Sequence, residues 1–205
     1  MLDASFSVEG PLTPKLSLLT TARRSYIANV ASFALNLFHL SVPMTVVPYY
    51  WDLVSRLDYN PNPLQHMFLT IFASTDAFDF ITQPRRGGGT IEVAGARDEL
   101  SLNMGFKSLI YGYDVALSDR LKNELRASLD QSKQIFSSRM NFLDYSLYLR
   151  DETTWKPYGF LTLRTGLDGF VDSAKDEFSV SNRVNAAVSA NNEAYVNGGA
   201  YARTI

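Results

Sequence analysis

The sequence predicts an α+β fold with a mainly helical core, and three observations lead there. An uncharged apolar stretch near the N-terminus carries helically spaced polar residues, an amphipathic stretch begins at Ser118, and a short segment near residue 102 alternates apolar with polar. Thr13 followed by Pro14 has the form of an N-cap and first-turn pair. From Ser25 to Trp51 no residue is charged, and Ser25, Asn29, Ser32, Asn36 and His39 recur at steps of three and four with apolar residues between them. This predicts a buried helix over about 14–41, ended by Pro43 and Pro48 and too interrupted to favour a membrane span.

Pro48 then opens a short helix through Leu57, closed by Asn60-Pro61-Asn62-Pro63. The apolar stretch from Leu64 to Ile81 reads as a helix broken at Ser74-Thr75-Asp76. Gln83 to Gly89 is a loop, because the three glycines of the Gly-rich stretch at 84–89 are costly to hold in a regular element. Thr90–Val93 is strand-like. Residues 98–117 fit two periods: Leu100, Leu102, Met104 and Phe106 alternate as in a strand, while Leu102, Phe106, Leu109, Ile110, Tyr113 and Leu117 also make a helical stripe. Ser118-Asp119 caps a long helix over about 118–149, with Leu121, Leu125, Leu129, Ile135, Phe136 and Leu143 on one side and Lys122, Glu124, Arg126, Asp130 and Lys133 on the other. Trp155 to Arg164 reads as a strand, with a turn between Gly166 and Gly169. Residues 1–177 thus form one compact domain, with a small antiparallel β element. Residues 178–205, rich in Asn, Gly, Ala and Ser and poor in charge, form an extended C-terminal arm.

Composition bounds the chemistry. The chain of 205 residues balances 19 Lys and Arg against 21 Asp and Glu, leaving no global field for a polyanion. With no cysteine there is no disulfide, thiolate metal site or cysteine nucleophile. The N-terminus lacks a cationic segment before an apolar core, so no signal peptide is expected. No phosphate-binding glycine loop, dinucleotide turn, G-x-S-x-G, H-E-x-x-H or calcium loop occurs. His39 and His66 read most simply as hydrogen-bonded structural histidines. Asp76 and Asp79 read as helix-start charges, and Asp168, Asp172 and Asp176, at steps of four, as a solvated face. No catalytic residue, cofactor or metal is expected, and the protein is read as no enzyme.

Aromatic and uncharged polar residues suit protein interfaces. The expected contact residues are Tyr49, Tyr50, Trp51, Arg85, Arg86, Asn191, Asn192, Tyr195 and Tyr201, with Arg85 and Arg86 also able to touch a phosphate backbone locally. An arm of this composition gains order by lying across a neighbour or adding a strand to its sheet. The expectation is a structural subunit of a large assembly, a virion protein such as a phage connector, neck, tail or capsid-associated subunit. Its partners would be copies of itself and other subunits, and its location the virion or the host cytoplasm during assembly. The alternatives are a protein anchored in a membrane through residues 25–51, a small carboxylate-dependent enzyme, and a helical domain holding a small molecule along the Ser25 to His39 stripe.

Overall fold

A computed structural model replaces the helical core with a single antiparallel sheet; it describes residues 3–27, 30, 33, 37, 44–82, 101–136, 140–180 and 187–204. Nine strands follow one another: β1 (Asp3–Thr13), β2 (Leu16–Ser25), β3 (Met44–Asn62), β4 (Gln65–Thr82), β5 (Ser101–Ser118), β6 (Leu121–Phe136), β7 (Met140–Tyr158), β8 (Leu161–Val180) and β9 (Ala187–Thr204). Their order in the sheet is their order in the chain, so the topology is a meander of hairpins. The expected helix over 14–41 gives way to β2, and among its described residues only Ile27, Val30, Phe33 and Leu37 are helical. The expected helix over 118–149 is β6 and the first half of β7. The segments read as helices at 48–57 and 64–81 lie within β3 and β4, and Ser74 to Asp76 interrupts nothing. Of the two periods open for 98–117, the alternating one is realised from Ser101 onward. Gly166 and Gly169 sit inside β8 instead of flanking a turn, and the supposed arm is β9, paired with β8 from Ala187 to Thr204. The loop at 84–89 and the Thr90–Val93 segment lie outside the described residues.

The local chemistry that suggested helix caps makes turns instead. Four hairpins close through two residues each: 14–15, 63–64, 119–120 and 159–160. In three of them the side chain just before the turn accepts a backbone N–H two residues on: Lys15 to Thr13 Oγ1 (3.3 Å), Leu64 to Asn62 Oδ1 (2.9 Å) and Arg120 to Ser118 Oγ (3.3 Å). Ser, Thr and Asn offer the same side-chain oxygen to a helix start or to a tight turn, so the residue alone does not decide between them. Each of these turns is tied to the next hairpin, because Lys15, Leu64 and Arg120 carbonyls accept the Asn60, Ala116 and Lys156 N–H groups at 2.8 Å. The four connections at the opposite end, 26–43, 83–100, 137–139 and 181–186, are all longer.

Register assigns side chains to two faces, since alternate residues point to opposite sides and paired residues share a side. One face carries Leu53, Leu57, Tyr59, Met67, Leu69, Ile71, Leu109, Tyr111, Tyr113, Leu125, Leu129, Leu143, Leu147, Leu149, Leu163, Leu167 and Val171. The other carries Arg23, Asp52, Arg56, Asp58, His66, Asp114, Glu124, Arg126, Asp130, Asp144, Arg150, Glu152, Arg164, Asp168 and Asp172. The apolar face is left open, and the most buried polar side chains lie on the other face. Leu147 is 44% exposed, Leu149 51% and Leu167 64%, whereas Ser108 is 6% and Glu152 9% exposed. Among the described residues Ala73 is the one buried hydrophobic side chain.

Candidate functional site: a charged belt on the shielded face

Across β3 to β8, near the two-residue turns, the shielded face holds a continuous belt of charge. Arg56 grips Asp58 through two nitrogens at 2.8 Å each. His66 lies between two carboxylates, with Nε2 2.8 Å from Asp58 Oδ1 and Nδ1 3.3 Å from Asp114 Oδ2. Arg126 meets the other oxygen of Asp114 at 2.5 Å. Farther along, Glu152 is held from two sides, by Arg150 at 2.8 Å and Arg164 at 3.2 Å, and Arg150 also approaches Asp168 at 3.7 Å. Tyr148 donates its hydroxyl to Asp168 at 2.9 Å. Strand pairing sets these contacts: Arg126 stands directly opposite Arg150, and Glu124 opposite Glu152, so each like-charged pair needs opposite charges from its flanks.

Aromatic packing stiffens the belt. The Arg56 guanidinium sits 4.1 Å from the centre of the Phe68 ring and that of Arg126 5.2 Å from it, two cation–π contacts on one ring. Phe68 in turn lies across Gly112, its strand partner, where a Cβ would come within 2.1 Å of the ring. Gly112 therefore makes room for the ring that holds both arginines. Gly112→Ala is expected to cost about 1–3 kcal/mol by overpacking, read from urea unfolding, and Phe68→Leu in the same chain is expected to recover part of it.

The belt perturbs its carboxylates in opposite directions. Hydrogen bonding from Arg56 holds Asp58 below the ordinary aspartate range despite partial burial, with His66 adding to the effect. Toward the end with the longer connections the face turns acidic. There desolvation raises Asp144, and the nearby Asp172 and Asp176 raise it further. The tyrosine hydroxyl of Tyr148 is also raised, first by burial and then by its bond to Asp168.

The residues expected to matter fall in several places. Asp168, Asp172 and Asp176 share one face as expected, but of a strand, and Asp168 belongs to the belt. His66 is the belt's central bridge. Tyr49 and Trp51 lie on the apolar face of β3, with the Arg24 guanidinium 5.5 Å from the Tyr49 ring, whereas Tyr50 is on the polar face and donates to Asp3 at 2.6 Å. Asn191, Asn192, Tyr195 and Tyr201 stand on β9 opposite Asp176, Lys175, Asp172 and Gly166. Arg85, Arg86 and His39 lie outside the described residues. Arg56, Asp58, Asp114, Arg126, Arg150, Glu152 and Arg164 escape the sequence reading. Their signal is charge at every second position, as in Lys122-x-Glu124-x-Arg126 and Arg150-x-Glu152.

Among the described residues no group of three or more His, Asp or Glu is placed to hold a metal ion. No helix among them is long and apolar enough to cross a membrane. The chain matches no protein-family model and no curated protein.

Proposed function

We propose that this chain forms wall of a membrane-spanning β-structure, its apolar face against lipid and its charged face lining a watery interior. The observation that carries this reading is the inverted exposure, with leucines outward and Glu152 and Ser108 inward. Hydrocarbon admits backbone only where its polar groups are paired, and a sheet of this patterning meets that need with lipid-facing and interior-facing residues in alternation. Span lengths agree. A tilted strand needs about 9–11 residues to cross the hydrocarbon, and on β3 the outward positions run from Tyr49 and Trp51 through Leu53 and Leu57 to Tyr59, with aromatic residues at both ends where a bilayer's interfaces would lie. Lys107 and Lys133 mark the band's border on β5 and β6, where long cationic side chains can reach the headgroups. Short turns at one end and longer connections at the other are the usual asymmetry of such walls. The work proposed is passage or retention of polar solutes along the charged belt, not turnover.

The competing proposal, a structural subunit of a larger assembly such as a virion, covers the same apolar face with protein. Both tryptophans of the chain, Trp51 and Trp155, are on that face, so one measurement separates the two. In vesicles whose acyl chains carry bromine, tryptophan fluorescence is expected to be quenched severalfold relative to plain vesicles. A large oligomer in detergent-free buffer whose fluorescence bromine leaves unchanged would establish the assembly subunit instead.

A further inference from the structure

Strand pairing carries one row across the outward face, toward the longer connections, from Arg24 through Trp51, Lys133 and Leu143 to Lys175. Lys107 stands on the same face one step nearer the turns, on the strand beside Lys133. All four cationic side chains are exposed. Lys133 and Lys175 flank Leu143 on the two neighbouring strands, so two strand spacings of about 5 Å separate them. Lys107 is diagonal to Lys133, a separation of about 7–8 Å. Among the described residues neither row holds an acidic residue, and Lys107 and Lys133 have no ion-pair partner. Glu177 and Asp79 come one and two register positions farther out. Like charges this close on one face repel, and a bound anion relieves them.

The row is also a border. Toward the turns the face continues with Leu129, Leu147 and Val171, and Trp155 stands in the row of Leu121, twelve residues from Lys133 along β6. At about 3.3 Å per residue and a tilt of about 40°, that stretch rises about 30 Å, the thickness of the hydrocarbon. The two tryptophans thus lie at opposite borders. Among the described residues the last three paired rows before the turns carry one charge on this face, Asp151, and Lys15, Arg120 and Lys156 come only beyond them.

We propose that this cationic row is a docking site for phospholipid of net negative charge, with the headgroup phosphate among Lys107, Lys133 and Lys175 and the acyl chains along Leu129, Leu147 and Val171. A zwitterionic headgroup brings its own cation against the row, whereas an anionic one does not. The site rests on the membrane reading, which supplies the lipid.

The test uses two single-tryptophan forms of the full chain, Trp155→Phe, which keeps Trp51 in the row, and Trp51→Phe, which keeps Trp155 at the other border. Vesicles contain about one part phosphatidylglycerol to four parts phosphatidylcholine throughout. Bromine is carried either by all the phosphatidylglycerol or by an equal amount of phosphatidylcholine, so headgroup and bromine contents are the same in both. Quenching of Trp51 is expected to show anionic lipid enriched at least about threefold over zwitterionic lipid, since each basic residue near an anionic surface is worth about fivefold in partition. Arg24→Gln, Lys107→Gln, Lys133→Gln and Lys175→Gln together are expected to bring that ratio to about one and leave the Trp155 ratio as it was. Sodium chloride at about 1 M, which screens charge beyond about 3 Å, is expected to lower the Trp51 ratio with the row intact. A Trp51 ratio of one, a ratio that survives either the substitutions or the salt, or a Trp155 ratio that falls with the substitutions would each overturn the docking site. Absence of quenching of both tryptophans by both brominated lipids would instead overturn the membrane reading beneath it.

Discussion

Leu147→Arg is expected to destabilise the lipid-inserted sheet by about 2–4 kcal/mol, the cost of a cationic side chain near the bilayer midplane. Leu147 sits in the middle of the apolar band, paired with Leu129 on one side and Val171 on the other, and is 44% exposed. Urea titration of protein folded into vesicles measures the loss. Ser128→Arg, one strand away on the charged face, serves as the comparison and is expected to cost about 1 kcal/mol, the loss of the hydrogen bond that Ser128 donates to Asp130. In water the ranking inverts, because arginine at an already exposed leucine gives up little burial. Equal, small effects of the two substitutions in vesicles would therefore remove lipid from the account of this face.

Glu152→Gln is the second large expected effect, a loss of about 2–3 kcal/mol. Glu152 is 9% exposed, accepts a hydrogen bond from Arg150 and is ion-paired with Arg164 at once, so removing its charge leaves two guanidinium groups facing each other across strands. The arginine side chains are 41% and 36% exposed, which keeps the loss below that of a fully desolvated pair. Arg150 also retains Asp168. Glu152→Gln combined with Arg164→Met is expected to recover at least half the loss, measured as urea midpoints of the single and double variants. An additive double variant would show that Arg164 does not depend on Glu152.

The long amphipathic stretch shows why these strands look helical in the sequence. Leu121, Leu125 and Leu129 are spaced by four, a step that returns to the same side of a helix and equally to the same side of a strand. The deciding residues lie between them. Lys122, Glu124 and Arg126 place charge at three successive even positions, which a helix would scatter over most of its circumference and a strand puts on one face. Asp168, Asp172 and Asp176 are ambiguous in the same way. Of the turns, the sequence marks only Asn60-Pro61-Asn62-Pro63 as one, while Thr13-Pro14 and Ser118-Asp119 read as helix starts, because the same side-chain hydrogen bond serves a cap or a turn. Of the belt, only His66 and Asp168 were singled out from the sequence. The others become a site only when register sets Arg126 against Arg150 and Glu124 against Glu152, and that pairing joins residues too far apart in the chain for local pattern to connect.

The four two-residue turns also bear on the order of assembly. Closing a short loop costs the least chain entropy, and the cost rises only slowly with length. β1–β2, β3–β4, β5–β6 and β7–β8 can each form as a local hairpin before any long-range pairing, on a timescale of microseconds. The longer connections then join preformed hairpins, whose edges must find one another in register. β9 alone has no tight turn to a neighbour and docks across 181–186 onto a finished hairpin. β9, reached through six residues, is thus expected to pair after the four hairpins have closed, an order that pulsed hydrogen exchange during refolding reads directly.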